Sequence, residues 1–318
     1  MRIIRELVMS ALIASLPVAS VAAAGAEFPL VQAAKNQDTE AVRTLLTEGA
    51  GVNRMPPPGG LTALHWAVQW DHAEIADLLI GSGAEVNAAD AYDVTPLTLA
   101  CINASTGMVQ RLLNAGANPN VVQATGETAL MTCARGGVVD AVDLLLARGV
   151  DVNAREATHG QTALMWAAWE GHTDIVGALI DQGADVDAQT TTGYTALLLA
   201  AREGDEDTTR TLLDVGADIN AAAEDGTTAL VVAIIRRHTE YAEFLLNHGA
   251  DPNLGPGFTP LHWAAGEWDT ELNDLSNGVA EGNEWSVFGG LRDADRVRIV
   301  RLLLAYGANP NTRTDRTP

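Results

Sequence analysis

The sequence predicts an all-α repeat solenoid, built of stacked helix-turn-helix units with extended hairpin-like loops. Two marks carry that prediction. A Thr-(Ala/Pro)-Leu signature recurs at Thr62, Thr95, Thr128, Thr162, Thr195, Thr228 and Thr259, at steps of 33, 33, 34, 33, 33 and 31 residues. A closing glycine recurs at Gly49, Gly83, Gly116, Gly149, Gly183, Gly216, Gly249 and Gly307. Two independent marks on one period make repetition the organising feature, and a repeat array grows without splitting into separate cores, so a length of 318 residues need not mean two domains.

The stretch from Thr162 to Gln189 shows the unit in full. Thr162 is placed to cap a first helix, its hydroxyl accepting from an orphan backbone N–H. Leu164, Ala167 and Ala168 share one face at i, i+3 and i+4. Gly171 ends that helix and His172 opens the return. Ile175, Val176, Leu179 and Ile180 form the apolar stripe of a second helix, and Gly183 stands where a helix C-terminus favours φ > 0. Such a pair cannot bury its apolar face alone and needs copies beside it.

This period, with Thr259-Pro260-Leu261-His262-Trp263-Ala264 and Gly249-Ala250-Asp251-Pro252-Asn253, resembles the ankyrin-repeat family from Phe28 to the last residue. The resemblance implies a structural role for His65 and His262, whose imidazoles would link neighbouring turns. It also implies a scaffold that binds a protein partner on a concave face. The hairpin tips that would meet it are Tyr92, Val94, Glu127, His159, Gln161, Thr192, Tyr194, Asp225 and Phe258. Arg202, Glu203 and Arg236 match helix-end recognition positions. Among the tryptophans, Trp66, Trp166 and Trp263 hold one offset and are expected to be partly buried between first helices. Trp70 and Trp169, with Glu170, are expected to face the partner, because Trp combines large apolar area with a donor.

In chain order, Arg2 and Arg5 precede an apolar run from Leu7 to Val18 and small residues at Ala22-Ala23-Ala24 and Ala24-Gly25-Ala26. This reads as a signal peptide over residues 1–24, cleaved after Ala24 or Ala26, with a retained membrane anchor as the alternative. The ankyrin-repeat domain is expected over 25–318, in an exported bacterial protein of the periplasm or beyond. Phe28-Pro29-Leu30 begins the first repeat, whose polar residues Gln32, Lys35, Asn36, Gln37 and Asp38 suit an N-terminal cap. Arg54 to Gly60 is a stiffened variant of the hairpin loop.

The second helices of the next six repeats keep apolar spacing, as in Ile75/Leu78/Leu79 and Val142/Leu145/Leu146. The eighth is interrupted by an insertion over 266–294, rich in acidic residues and containing Trp268, Trp285 and Phe288. Within it, Asp269 to Gly278 alternates oxygen-bearing side chains but lacks the Gly and Glu that a Ca²⁺ loop requires at its sixth and twelfth positions. A solvated loop is expected there, with small-ligand or Ca²⁺ binding as the alternative function. Thr317-Pro318 opens a ninth signature, so the expectation is a piece of a longer protein. An enzyme with a catalytic part beyond residue 318 is a further alternative.

The net charge is −22, and the basic side is nearly all Arg, Lys35 being the one lysine. Repulsion from phosphate makes nucleic acid and anionic membrane surfaces poor partners and favours a protein with a basic patch, bound by a monomer. The histidines recur at fixed repeat offsets, no cluster has metal-ligand spacing, and no nucleophile-base motif occurs. No enzyme activity, cofactor or metal is therefore expected. Cys101 and Cys133 occupy small-residue packing positions in first helices and are predicted to be two buried thiols.

Overall fold

The computed structural model describes residues 27–255, 257–265 and 293–312. The signal peptide, nearly all of the insertion, and the ninth signature lie outside them. Among the described residues every regular element is a helix, in consecutive short pairs. They fall into two compact units, ending at Val150 and beginning at Asp151.

The first unit holds α1 (Pro29–Lys35), α2 (Thr39–Thr47), α3 (Ala63–Gln69), α4 (Ala73–Gly81), α5 (Pro96–Ile102), α6 (Thr106–Asn114), α7 (Ala129–Arg135) and α8 (Val139–Leu146). Each odd helix packs on its even partner, α1, α3, α5 and α7 pack side by side, and α2 meets α4 as α6 meets α8. The second unit holds α9 (Ala163–Glu170), α10 (Thr173–Asp181), α11 (Ala196–Glu203), α12 (Glu206–Asp214), α13 (Ala229–Ile235), α14 (Thr239–Asn247), α15 (Pro260–Ala265) and α16 (Asp293–Ala305). There α9, α11, α13 and α15 form the row of first helices, while α10 meets α12 and α14 meets α16. The residues Asp293 and Ala294, expected in the insertion, belong to α16, which runs 13 residues against nine in α14.

Local chemistry sets these boundaries. The signature threonines Thr62, Thr95, Thr128, Thr162, Thr195 and Thr228 each accept from the backbone N–H three residues on, which caps the first helix. At His65 the imidazole adds a link: Nδ1 lies 2.7 Å from the Thr62 hydroxyl and Nε2 lies 3.2 Å from the Val94 carbonyl of the next repeat. Burial holds its pKa below 6.5, although the Val94 carbonyl and Asp90 pull the other way. His262 repeats the capping contact, 2.8 Å from the Thr259 hydroxyl. The predicted stripes become the core, with Leu64, Ile75, Leu79, Leu97, Leu112 and Leu145 buried in the first unit and Leu164, Ile175, Leu179, Leu212 and Leu245 in the second.

Successive repeats are tied by a side-chain ladder. Asn53 Nδ2 donates to the Gly83 carbonyl at 3.1 Å, and Asn53 Oδ1 accepts from Glu85 N at 2.7 Å. Asn87 does the same with Gly116 and Asn118, Asn153 with Gly183 and Asp185, and Asn220 with Gly249 and Asp251. Asp187 takes the acceptor half only, from Asp218 N at 3.3 Å, since a carboxylate has no N–H to give.

The two cysteines correct the sequence reading. They are buried as expected, but they form a disulfide across a Cα separation of 4.7 Å. Ala100 and Ala134 beside them are fully buried, and such small side chains let α5 and α7 approach within disulfide range. In the loop-entropy treatment, a closure of this length stabilises by about 3–4 kcal/mol.

The turn between the two helices of a repeat needs one left-handed residue. Gly137, Gly171 and Gly204 supply it in three repeats, with φ of 71°, 72° and 69°. Gln37, Asp71, Ala104 and Arg237 occupy the same step with φ from 51° to 64°, where a Cβ is strained. Ala104 has no polar side chain to offset that strain. Ala104→Gly is expected to raise stability by about 1 kcal/mol, read as a higher urea midpoint with unchanged slope.

Candidate partner-binding surface

The hairpin tips are drawn into a row within each unit by backbone bonds. In the first, Ala91 N donates to the Gly59 carbonyl at 3.0 Å and Ala124 N to the Tyr92 carbonyl at 3.4 Å. In the second, Thr191 N donates to the His159 carbonyl at 2.7 Å and Glu224 N to the Thr192 carbonyl at 3.0 Å. A Cβ on Gly193 would stand 2.7 Å from Glu224 N, so glycine is what lets those two tips close. Tyr92, His159 and Thr192 thus serve the row through their carbonyls while their side chains stay exposed. Each tip is itself a tight turn, closed by Asp90 N to the Val94 carbonyl, Gln123 N to Glu127, and Thr190 N to Tyr194.

A second set of side chains lies at the ends of the first helices. The residue seven after each signature start is Lys35, Gln69, Ile102 or Arg135 in the first unit and Trp169, Arg202 or Ile235 in the second. Neighbouring repeats touch through this column. The Arg202 guanidinium lies 4.1 Å from the centre of the Trp169 ring, and the Lys35 ammonium lies 4.9 Å from that of Trp66. Trp166 and Trp169 have ring centres 6.2 Å apart, and Trp66 and Trp70 stack at 6.5 Å. Arg135 pairs with the tip residue Glu127 at 3.2 Å, joining a helix end to a hairpin of the same repeat.

A family model described as ankyrin repeats in three copies matches residues 6–90, 97–190, 155–223 and 197–272. The chain belongs to the ankyrin-repeat family. Human Ankyrin repeat and SOCS box protein 6 is 36% identical over 124 residues, which are 36% of this chain and 30% of that protein. Neurogenic locus notch homolog protein 1 of Danio rerio is 31% identical over 170 residues, 43% of this chain and 7% of that protein. The chain therefore spans less than a third of these curated relatives. The crystal structure of the human ASB11 ankyrin repeat domain superposes with a TM-score of 0.58 at 28% identity, covering 64% of this chain and 90% of that domain.

On this ankyrin frame the residues predicted to meet a partner separate by exposure. Trp70, Tyr92, His159, Glu170, Thr192, Glu203 and Asp225 are exposed; Val94, Glu127, Trp169, Tyr194, Arg202, Arg236 and Phe258 are half-buried. Phe258 makes edge contacts with His262 at 6.0 Å and Trp263 at 5.9 Å. The Tyr194 hydroxyl is pushed up to about 12 by burial and by Asp225, with Arg202 opposing, so it remains a neutral donor at physiological pH. The residues Trp66, Trp166 and Trp263 are half-buried. Ile102 and Val122, more than half exposed, escaped the sequence reading. Ile102 was detectable, because it stands at the same step as Trp169 and Arg202.

Gln161 is the correction. It is buried, and its backbone closes the tip, its carbonyl accepting from Glu156 N at 2.9 Å. The organising side chain of that tip is Glu156, also buried. Its carboxylate accepts from the backbone N–H groups of Thr158 at 2.6 Å, His159 at 2.5 Å and Gln161 at 3.2 Å, with His159 Nδ1 at 3.7 Å. Burial pushes its pKa up, but the three N–H groups and His159 more than offset this and hold it below 4.5. Glu156 opens its tip as Asp90 opens another, where Asp90 Oδ1 accepts from Tyr92 N and Val94 N at 2.8 and 2.9 Å, but it stands one residue further from its signature threonine than Asp90 does. Among the described residues no group of three or more His, Cys, Asp or Glu is placed to hold a metal ion.

A depressed carboxylate pKa contributes stability that is complete above the unfolded value and is lost as pH falls through the folded one. Glu156→Gln is expected to cost about 1–3 kcal/mol at neutral pH, through weakened bonds to buried N–H groups. Its urea midpoint should also fall less than that of the wild type on acidification below pH 4.5, the ordinary value for this carboxyl. Equal acid sensitivity of the two chains would remove Glu156 from the tip's electrostatics.

Proposed function

We propose that this protein is a non-catalytic scaffold that binds a partner protein through a basic segment carrying apolar anchors. One observation supports this above others. Trp70, Tyr92 and Ile102 are 40%, 64% and 54% exposed on two consecutive repeats of the first unit. The stretch from Met55 to Gln110 that carries them contains six Asp or Glu and no Lys or Arg. Of these acids, Glu74 and Asp77 are paired with Arg43 and Arg111, which leaves the charge of Asp71 and Asp93 beside Trp70 and Tyr92 without a paired cation from this stretch. Large exposed aromatics rimmed by one sign of charge favour a partner of the opposite sign with an apolar side chain to bury. The second unit offers a different chemistry, the Trp169–Arg202 stack with Glu170, Glu203 and Asp225 around it.

The wider reading is an exported protein, acting as a monomer and not on nucleic acid. Residues 1–24 have the organisation of a signal peptide, and a disulfide suits an oxidising compartment. Among the described residues no helix is long and apolar enough to cross a membrane. Intact mass of the chain recovered from an exporting bacterial host checks this; a mature start at Gly25 or Glu27 is expected, and a retained Met1 in the exported fraction would count against it.

The binding assignment is tested with the partner captured from the source cell and identified by mass spectrometry. Trp70→Ala with Ile102→Ala is expected to weaken its binding by about 30-fold or more, the scale of a lost interface anchor. Affinity should also fall as salt rises. Unchanged affinity in a folded double variant would sink the assignment.

A further inference from the structure

Cys101 and Cys133 lie on α5 and α7, the first helices of consecutive repeats in the first unit, and their disulfide spans 32 residues. Neither residue exposes any surface, and Ala100, Met131 and Ala134 around them are buried as well. The bond joins unlike positions, since Cys101 stands six residues after its signature Thr and Cys133 five. Ile102 follows Cys101, and the Asn103 amide then donates to the Val68 and Gln69 carbonyls of the preceding repeat at 2.9 and 3.1 Å.

We propose that this disulfide is a lock: it is installed while α5 and α7 are still apart, and closure of the repeats then shields it from reductants. Installation needs an oxidant, which is a protein or low-molecular-weight disulfide. One cysteine thiolate attacks the donor's S–S bond, forms a mixed disulfide and releases one donor thiol. The second thiolate attacks the chain's own sulfur in that mixed disulfide, closes the Cys101–Cys133 bond and releases the second donor thiol. The two electrons and two protons of the cysteines end on the donor. Reduction runs the same exchange backwards and needs the same in-line approach to sulfur. With neither residue accessible, both directions require the two helices to part, so the reduction rate is scaled down by the fraction of time this unit is open. The lock holds the spacing of the helices whose ends present Ile102 and Arg135, so the partner-facing column of the first unit is set at the time of oxidation. It is then insensitive to mild reducing conditions in the folded state.

The test uses the full chain refolded in a mixture of glutathione and its disulfide. Thiols are titrated after unfolding without reductant, and the reduction half-time with dithiothreitol is measured in buffer and in concentrated urea. No titratable thiol before reduction and two after it are expected, with reduction in buffer about 100-fold or more slower than in urea. The thermal midpoint of the wild type should drop once the chain has been reduced, and that of the Cys101→Ala, Cys133→Ala double variant should be indifferent to reductant. Two titratable thiols in the unreduced, unfolded chain would overturn the bond. Equal reduction rates in buffer and urea would overturn the shielding. If the double variant fails to fold, the wild-type kinetics alone decide between these outcomes.

Discussion

The amide of an asparagine that recurs in five of the repeats is the contact on which this architecture depends. Asn53, Asn87, Asn153, Asn220 and Asn253 each reach forward to the carbonyl of the next closing glycine and accept from the N–H two residues beyond it. A helix pair of 16 or so residues has one apolar side and no way to bury it alone. The ladder fixes where the next pair begins, and the stripes through Leu64, Leu97 and Leu130, or Leu164, Leu197 and Leu230, then meet in register. An amide suits this role because it donates and accepts at once, whereas the carboxylate of Asp187 fulfils half of it.

With the ladder and the caps satisfied by so few residue types, most other surface positions are free to vary. That freedom explains why the column at the helix ends can be Ile102 in one repeat and Trp169 or Arg202 in others without disturbing the stack. It also explains the two chemistries the units present. In the first, exposed apolar side chains stand in a stretch free of Lys and Arg. In the second, Arg202 covers Trp169 and pairs with Glu203 at 3.7 Å, so its charge is shared locally. Side chains held against each other in this way have already lost part of their rotamer freedom in the free chain.

How much was legible in the sequence depended on how local the cause was. Period, caps, closing glycines and core stripes are set within a few residues, and Thr62, Leu164 and Gly183 do what their spacing implies. Half-buried Trp66, Trp166 and Trp263 and exposed Trp70 match the register, but Trp169, expected to be exposed like Trp70, is half-buried with the Arg202 guanidinium over its ring. Contacts made between repeats were less legible. The disulfide needed the distance between α5 and α7, which small flanking alanines reduce to 4.7 Å at the Cα atoms, below the usual separation of stacked helices. Gln161 was placed on the surface because it sits at a tip, yet the Glu156 carboxylate gathers three backbone N–H groups and draws that tip inward. The equivalent positions Val94, Glu127, Tyr194 and Phe258 are half-buried and Thr227 is buried, so the residue before each signature threonine faces inward to varying depth.

The last repeat shows how tolerant the ladder is of what lies between its rungs. Asn253 Nδ2 donates to the Gly307 carbonyl at 3.2 Å and Asn309 N donates back to Asn253 Oδ1 at 2.8 Å, across a sequence separation of more than fifty residues where the other rungs span about thirty. The helix α16 still packs on α14 and α15, and Arg298 is held by both Glu240 and Glu243 of α14 at 2.6 and 2.9 Å. Those charge pairs are solvent-exposed and contribute little to stability individually, and they accord with the rotation of α16 that burial of its apolar side sets. That rotation sends Ile299 and Leu303 inward and leaves Val297 and Leu304 outside. Register in this fold is therefore carried by the closing glycine and its asparagine rather than by chain length. An interruption between the two helices of a repeat is tolerated so long as the second helix returns to those two points.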